Sequence, residues 1–155
     1  MIYSFFPNPF SSMKIILLSL SFIALVSLFC FCKHQPKFTA DNLPTQQLHW
    51  GAGGGYVGKE SAHILLNNGQ IFKRELAGSL VEAAKVKSKK AAAIFKTAQA
   101  LDFSNLEFNH PGNIYSFLEW HDGDVVHRIV WGDPNFPIDG NVKALYDRLN
   151  GLLKQ

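Results

Sequence analysis

The chain has 155 residues, the length of one domain, and 15 Lys and Arg stand against 12 Asp and Glu. Residues 33–155 hold 14 of the basic and all 12 of the acidic side chains, and a balance of +2 excludes the strongly basic surface of a nucleic-acid-binding protein. Both cysteines, Cys30 and Cys32, lie near the N-terminus, so the remainder has no disulfide, no thiol nucleophile and no thiolate metal ligand.

Residues 15–32, IILLSLSFIALVSLFCFC, carry no charge and follow Lys14. That length is close to the minimum for crossing a bilayer. Met-Lys before an apolar run has the form of a secretory signal, so Met13 is read as the start and MIYSFFPNPFSS as an extension. Cysteines closing the run resemble those of bacterial lipoproteins, whose thiol is acylated. Cys30 and Cys32 are therefore the lipidation candidates. Phe29 and Phe31 stand where such a site has a small residue, which leaves an uncleaved helical anchor as the alternative. The expected organisation is an extension and membrane-targeting segment at 1–32, a polar tether with two prolines at 33–47, and an exported domain at 48–155. Either anchor would hold that domain in the cell envelope, facing the periplasm or the exterior.

Within the domain, the apolar runs AHILL and QIF flank Asn67-Asn68-Gly69, a turn sequence, and predict a hairpin. Ser79 and Glu82 have capping-box spacing, and Ser88 offers a later start for the helix that follows. Ala91, Ile94, Phe95, Ala98 and Leu101 share one helical face, and Lys85, Lys87, Lys89, Lys90 and Lys96 form its wet side. Tyr115 to Trp120 and Val125 to Trp131 flank Asp122-Gly123 and predict a second hairpin. Val142, Leu145, Leu149 and Leu152 make the stripe of a final helix capped by Asp139 or Asn141. The expected fold class is α+β: an antiparallel sheet of about four strands in ββα-ββα order, with two helices on one face.

GAGGGYVGKE, residues 51–60, matches all but the last position of a P-loop, G-x-x-x-x-G-K-[ST], and Gly53 to Gly58 also spell G-x-G-x-x-G. Both motifs need a helix after the glycines, so that its N-terminal N–H groups meet phosphate. Here a hairpin follows, and Glu60 replaces the Mg²⁺-binding hydroxyl. No nucleotide partner is expected. The glycines instead mark a bend or a close backbone approach.

His121, Asp122, Asp124 and His127 crowd one stretch, with Glu119 and His110 nearby. His121, Asp124 and His127 could serve a small metal-dependent or acid-base hydrolase. The competing account is that Asp and Gly simply form the turn, so neither a metal centre, a cofactor nor catalytic residues are expected.

GGGYVGKESAHILLNNGQ, a helix ending AQALDFSNL, the hairpin IYSFLEWHDGDVVHRIVWGD and a final amphipathic helix together resemble the emfourin-like proteins. These are small bacterial inhibitors of thermolysin-like zinc metalloproteases. Gly54, Gly55, Tyr56, Val57 and Gly58 match their Gly-Gly-aromatic-x-Gly strand, and Tyr115 with Asp122-Gly123 matches their hairpin. The order of motifs covers most of residues 50–153. The chain also looks like small lipoproteins of Gram-negative envelopes. The function expected is a non-enzymatic, membrane-tethered module that binds another envelope protein, with protease inhibition as the specific form. Its binding loops are residues 51–58 and 132–137, with Gly54, Gly55, Tyr56, Gly58, Asp133 and Phe136 as candidate contacts.

Overall fold

Strand β1, Gln46–Gly54, is the centre of the fold. In the computed structural model, which describes residues 36–154 apart from 57 and 76, β1 pairs antiparallel with β2, Ser61–Leu66, on one side and with β6, Ile114–Asp122, on the other. Cys30, Cys32 and the whole apolar N-terminal run lie outside the described residues. Among the described residues no helix is long and apolar enough to cross a membrane.

Among the described residues the sheet has seven strands, in the order β4 (Leu80–Lys85), β3 (Gln70–Arg74), β2, β1, β6, β7 (Val125–Trp131) and β5 (Asn109–His110). Strands β3 and β4 extend one side; β7 and β5 extend the other. The β5–β7 pairing is parallel and the others are antiparallel. This overturns the four-stranded antiparallel ββα-ββα arrangement expected from sequence: the sheet is larger and mixed, and the domain is mostly β.

The added strands have identifiable causes. Residues 80–85, expected to begin a helix at the Ser79–Glu82 box, form an edge strand on β3, with a bulge opposite Ile71 and Phe72. Helix propensity in VEAAK is overridden because pairing satisfies the otherwise free edge of β3. The bulge switches faces: Leu80 packs with Ile64, Leu66 and Phe72 on one side of the sheet, and Ala84 packs into the main core on the other. Helix α1 therefore runs only over Ser88–Ala100, and Lys87, not a serine, holds the N-cap position. Strand β5 is two residues long and too short to leave a periodic trace.

Helices α1 and α2 (Gly140–Asn150) lie on the same face. Ala91, Ile94, Phe95 and Ala98 from α1, and Val142, Leu145 and Leu149 from α2, enclose Leu48, Trp50, Leu65, Ile71, Leu118, Trp120 and Ile129 from the sheet. Each large side chain buried there contributes about 1.5–3 kcal/mol. Asp139 caps α2 by accepting from the N–H groups of Asn141 and Val142. Tyr146 on α2 donates its hydroxyl to the carbonyl of Gly51 at 3.1 Å.

Among the described residues the opposite face carries no helix. Over β2 and β3 it is covered by Phe38 and Leu43, which pack on Ile64, Leu66 and Phe72. Buried Asn68 and Gln70 hold that covering segment: Asn68 donates to the Pro36 carbonyl at 2.7 Å, and Gln70 accepts from the Phe38 N–H at 2.8 Å. Over β1, β6 and β7 the face is formed by rings and charges, described next.

Candidate functional site

Alternation along β1 and β6 sorts the polar residues onto the helix-free face. Gln47, His49, Gly51 and Gly53 of β1 point there, opposite His121, Glu119, Phe117 and Tyr115 of β6. Gly51 and Gly53 explain themselves in this register. A Cβ at Gly51 would lie 1.9 Å from the Ser61 carbonyl oxygen and 2.8 Å from the Phe117 ring, and one at Gly53 would lie 2.5 Å from the Tyr115 hydroxyl. The glycines thus let two aromatic rings lie across β1. The glycine run leaves β1 rather than leading into it, and β2 follows, so the helix that a phosphate loop requires is absent there.

Glu60 has a structural task. Its Oε2 accepts from Arg128 Nη2 at 2.6 Å and from the Tyr115 hydroxyl at 3.2 Å. Arg128 lies over the Phe117 ring, 3.9 Å from its centroid, and donates through Nη1 to Glu119 Oε2 at 2.9 Å. Glu119 Oε1 meets His121 Nε2 at 2.5 Å and His49 Nδ1 at 3.5 Å. The two imidazoles stack at 4.0 Å with an interplanar angle of 16°. The ligand-capable atoms of His49, Glu119 and His121 all lie within 4.8 Å of one another.

Electrostatics follow from this crowding. His49 is only 3% exposed, and burial, then the neighbouring His121, Arg74 and Arg128, push its pKa down to about 3 despite Glu119. It is neutral at physiological pH. Burial opposes the charge of Glu119, but the hydrogen bonds from His121 and Arg128 outweigh it and hold its carboxyl below the usual range.

The residues singled out from sequence are distributed differently. His127 is the register partner of Trp120, so it shares the helix-side face, and His121 shares the other. His127 lines a groove of about 310 Å³ with Ala98, Gln99, Phe103 and Trp120. Asp124 is exposed in the β6–β7 turn. His121 and His127 therefore lie on opposite faces, and Asp124 lies in the turn between their strands.

The two candidate binding loops flank the same segment, residues 112–114. Gly54 pairs with Ile114, and the Gly55 N–H donates to the Asn113 carbonyl at 2.7 Å. Gly112 and Gly132 touch closely enough that a Cβ on Gly112 would lie 2.5 Å from the Gly132 carbonyl oxygen. Beyond them, Asp133 Oδ1 accepts from the Asn135 N–H at 2.9 Å, and Phe136 stacks on His110 at 4.0 Å. Residues 51–58 and 132–137 thus share one end of the sheet, where Tyr56 is fully exposed, Ile114 is 69% exposed and Phe136 is 47% exposed.

Sequence reading missed His49 altogether and weighed Glu119 only as a neighbour of the turn. The trace was present as spacing: Gln47-x-His49 and Glu119-x-His121 are polar pairs two apart, which a strand places on one face. Their pairing across β1 and β6 is not visible without the register. Compared with known proteins, the chain matches no family and no curated sequence.

Proposed function

We propose that this protein is a non-enzymatic, membrane-tethered envelope module that binds another protein through the glycine-rich end of its sheet. The supporting observation is the convergence of two loops far apart in sequence, which offers Tyr56, Ile114 and Phe136 as an exposed apolar set on hydrogen-bonded backbone. A preordered loop loses little entropy on docking, and an aromatic anchor such as Tyr56 is the side chain that most often dominates binding energy. The resemblance to emfourin-like inhibitors makes a thermolysin-like zinc metalloprotease the partner to test first. The apolar segment at 15–32 supplies the tether, through acylation of Cys30 or Cys32 or as an uncleaved helix.

The test is titration of the full chain into a thermolysin-like protease, alongside Tyr56→Ser with Phe136→Ser. Stoichiometric inhibition that the double variant loses supports the reading. If the protease is unaffected, and crosslinked pull-down from envelopes recovers the same proteins with both forms, the loop end is not the binding surface. Labelled palmitate that enters the protein, and is lost in Cys30→Ser with Cys32→Ser, assigns the lipid anchor. Absence of label assigns the helix.

A further inference from the structure

We propose that His49, Glu119 and His121 bind a first-row divalent cation of the zinc type on the helix-free face of the sheet. The case begins with Gln47. Its side-chain N–H donates to the Pro44 carbonyl at 2.8 Å, which fixes the amide so that Oε1 faces His49 Nε2 at 2.8 Å. An amide oxygen only accepts, so Nε2 carries the proton of the neutral imidazole. Nδ1 then carries a lone pair, and Glu119 Oε1, another acceptor, lies 3.5 Å away. Two acceptors facing one another are satisfied by a cation between them.

The surroundings are those of a ligand set. A metal-bound histidine characteristically donates its other ring N–H to a carbonyl or carboxylate, as His49 does to Gln47. Arg128 secures Glu119 Oε2, leaving Oε1 to coordinate, and Glu60 balances the charge of Arg128. The carboxylate charge of Glu119 thus remains for the ion. Two imidazoles and one carboxylate suit zinc and its neighbours, whereas calcium and magnesium take all-oxygen shells. Tetrahedral bonds of about 2 Å set donor atoms about 3.3 Å apart, so donors within 4.8 Å must close in, and the stacked imidazoles must tilt apart for both lone pairs to meet one ion. His121 must release its Nε2 proton, to Nδ1 of its own ring or to solvent, before Nε2 can coordinate. Its 21% side-chain exposure gives the ion a way in and leaves a coordination position for water.

The experiment is calorimetric titration of Zn²⁺ into the full chain in detergent. Cys30→Ser and Cys32→Ser remove competing thiols, and Co²⁺ absorption reads the geometry. One ion per chain and a tetrahedral cobalt spectrum are expected. His49→Ala, Glu119→Gln and His121→Ala should each weaken binding more than about tenfold. His127→Ala, on the other face, should leave it unchanged. Should buried His49 prove essential for folding, partly exposed His121 carries the test, with folding checked by circular dichroism. No saturable binding, or equal affinity in folded His121→Ala, overturns the assignment.

Discussion

The indole N–H of Trp50, at the centre of β1, donates to the side-chain oxygen of Asn150, the last residue of α2, at 3.1 Å. Trp50 has no exposed surface, so removing its acceptor leaves a buried donor unpaired. Asn150→Leu is expected to cost about 1–3 kcal/mol, read as a lower urea midpoint at unchanged slope. Adding Trp50→Phe should cost less than the sum of the single changes, because the two side chains act as a pair. Strict additivity would show that the bond contributes nothing.

Gly54 and Gly58 should respond differently to alanine although both have positive φ, 91° and 60°. At Gly54 a Cβ would also lie 2.1 Å from the Asn113 carbonyl oxygen, whereas at Gly58 it meets nothing within 4 Å. Gly58→Ala should cost about 1 kcal/mol, the conformational penalty alone. Gly54→Ala should cost several times more, since the β1–β6 backbone must shift. Equal thermal midpoints for the two variants would refute the steric argument.

Without added metal and with chelator present, stability should fall as pH drops below about 6.5. His49 has a folded pKa near 3, so between these values the unfolded state binds a proton that the folded state refuses. Its contribution is complete above the unfolded pKa and is lost downward through that window. The fall between pH 7 and 4.5 should approach about 2.5 kcal/mol. The lowered carboxyl of Glu119 adds a loss of the same sign at still lower pH. His49→Gln should flatten the upper part of the curve in urea titrations at successive pH values.

Glu60→Ser completes the G-x-x-x-x-G-K-S pattern and should still confer no affinity for Mg²⁺-ATP, because β2 and not a helix follows. The same change removes one of the two carboxylate acceptors of Arg128 and the acceptor of Tyr115, and should cost about 1 kcal/mol, less at high salt. Calorimetry with ATP checks the first part, and denaturation at two salt concentrations the second.

Legibility in the sequence followed the range of the cause. The two hairpins, the capping Asp139 and the buried face of α1 were readable because turn chemistry and helical period act over a few residues. Strand β4 was misread because VEAAK favours a helix locally, and only the edge of β3 says otherwise. The glycines of β1 raised a nucleotide question because their partners, Phe117 and Tyr115, lie far along the chain. The His49–Glu119–His121 cluster was hidden for the same reason, since its two halves are joined only by the β1–β6 register.

That register also sets an order of events during synthesis. β1 can pair with β2 as soon as the first hairpins emerge, but its other edge must wait for β6, whose Ile114 meets Gly54. Until then the middle of the future sheet is an unsatisfied edge carrying Leu48 and Trp50, ready to pair with any passing strand. Closing so long a loop is slow compared with local pairing. The nascent chain is therefore expected to expose the bare side of β1 until β6 arrives, and that edge is what a holding chaperone would cover.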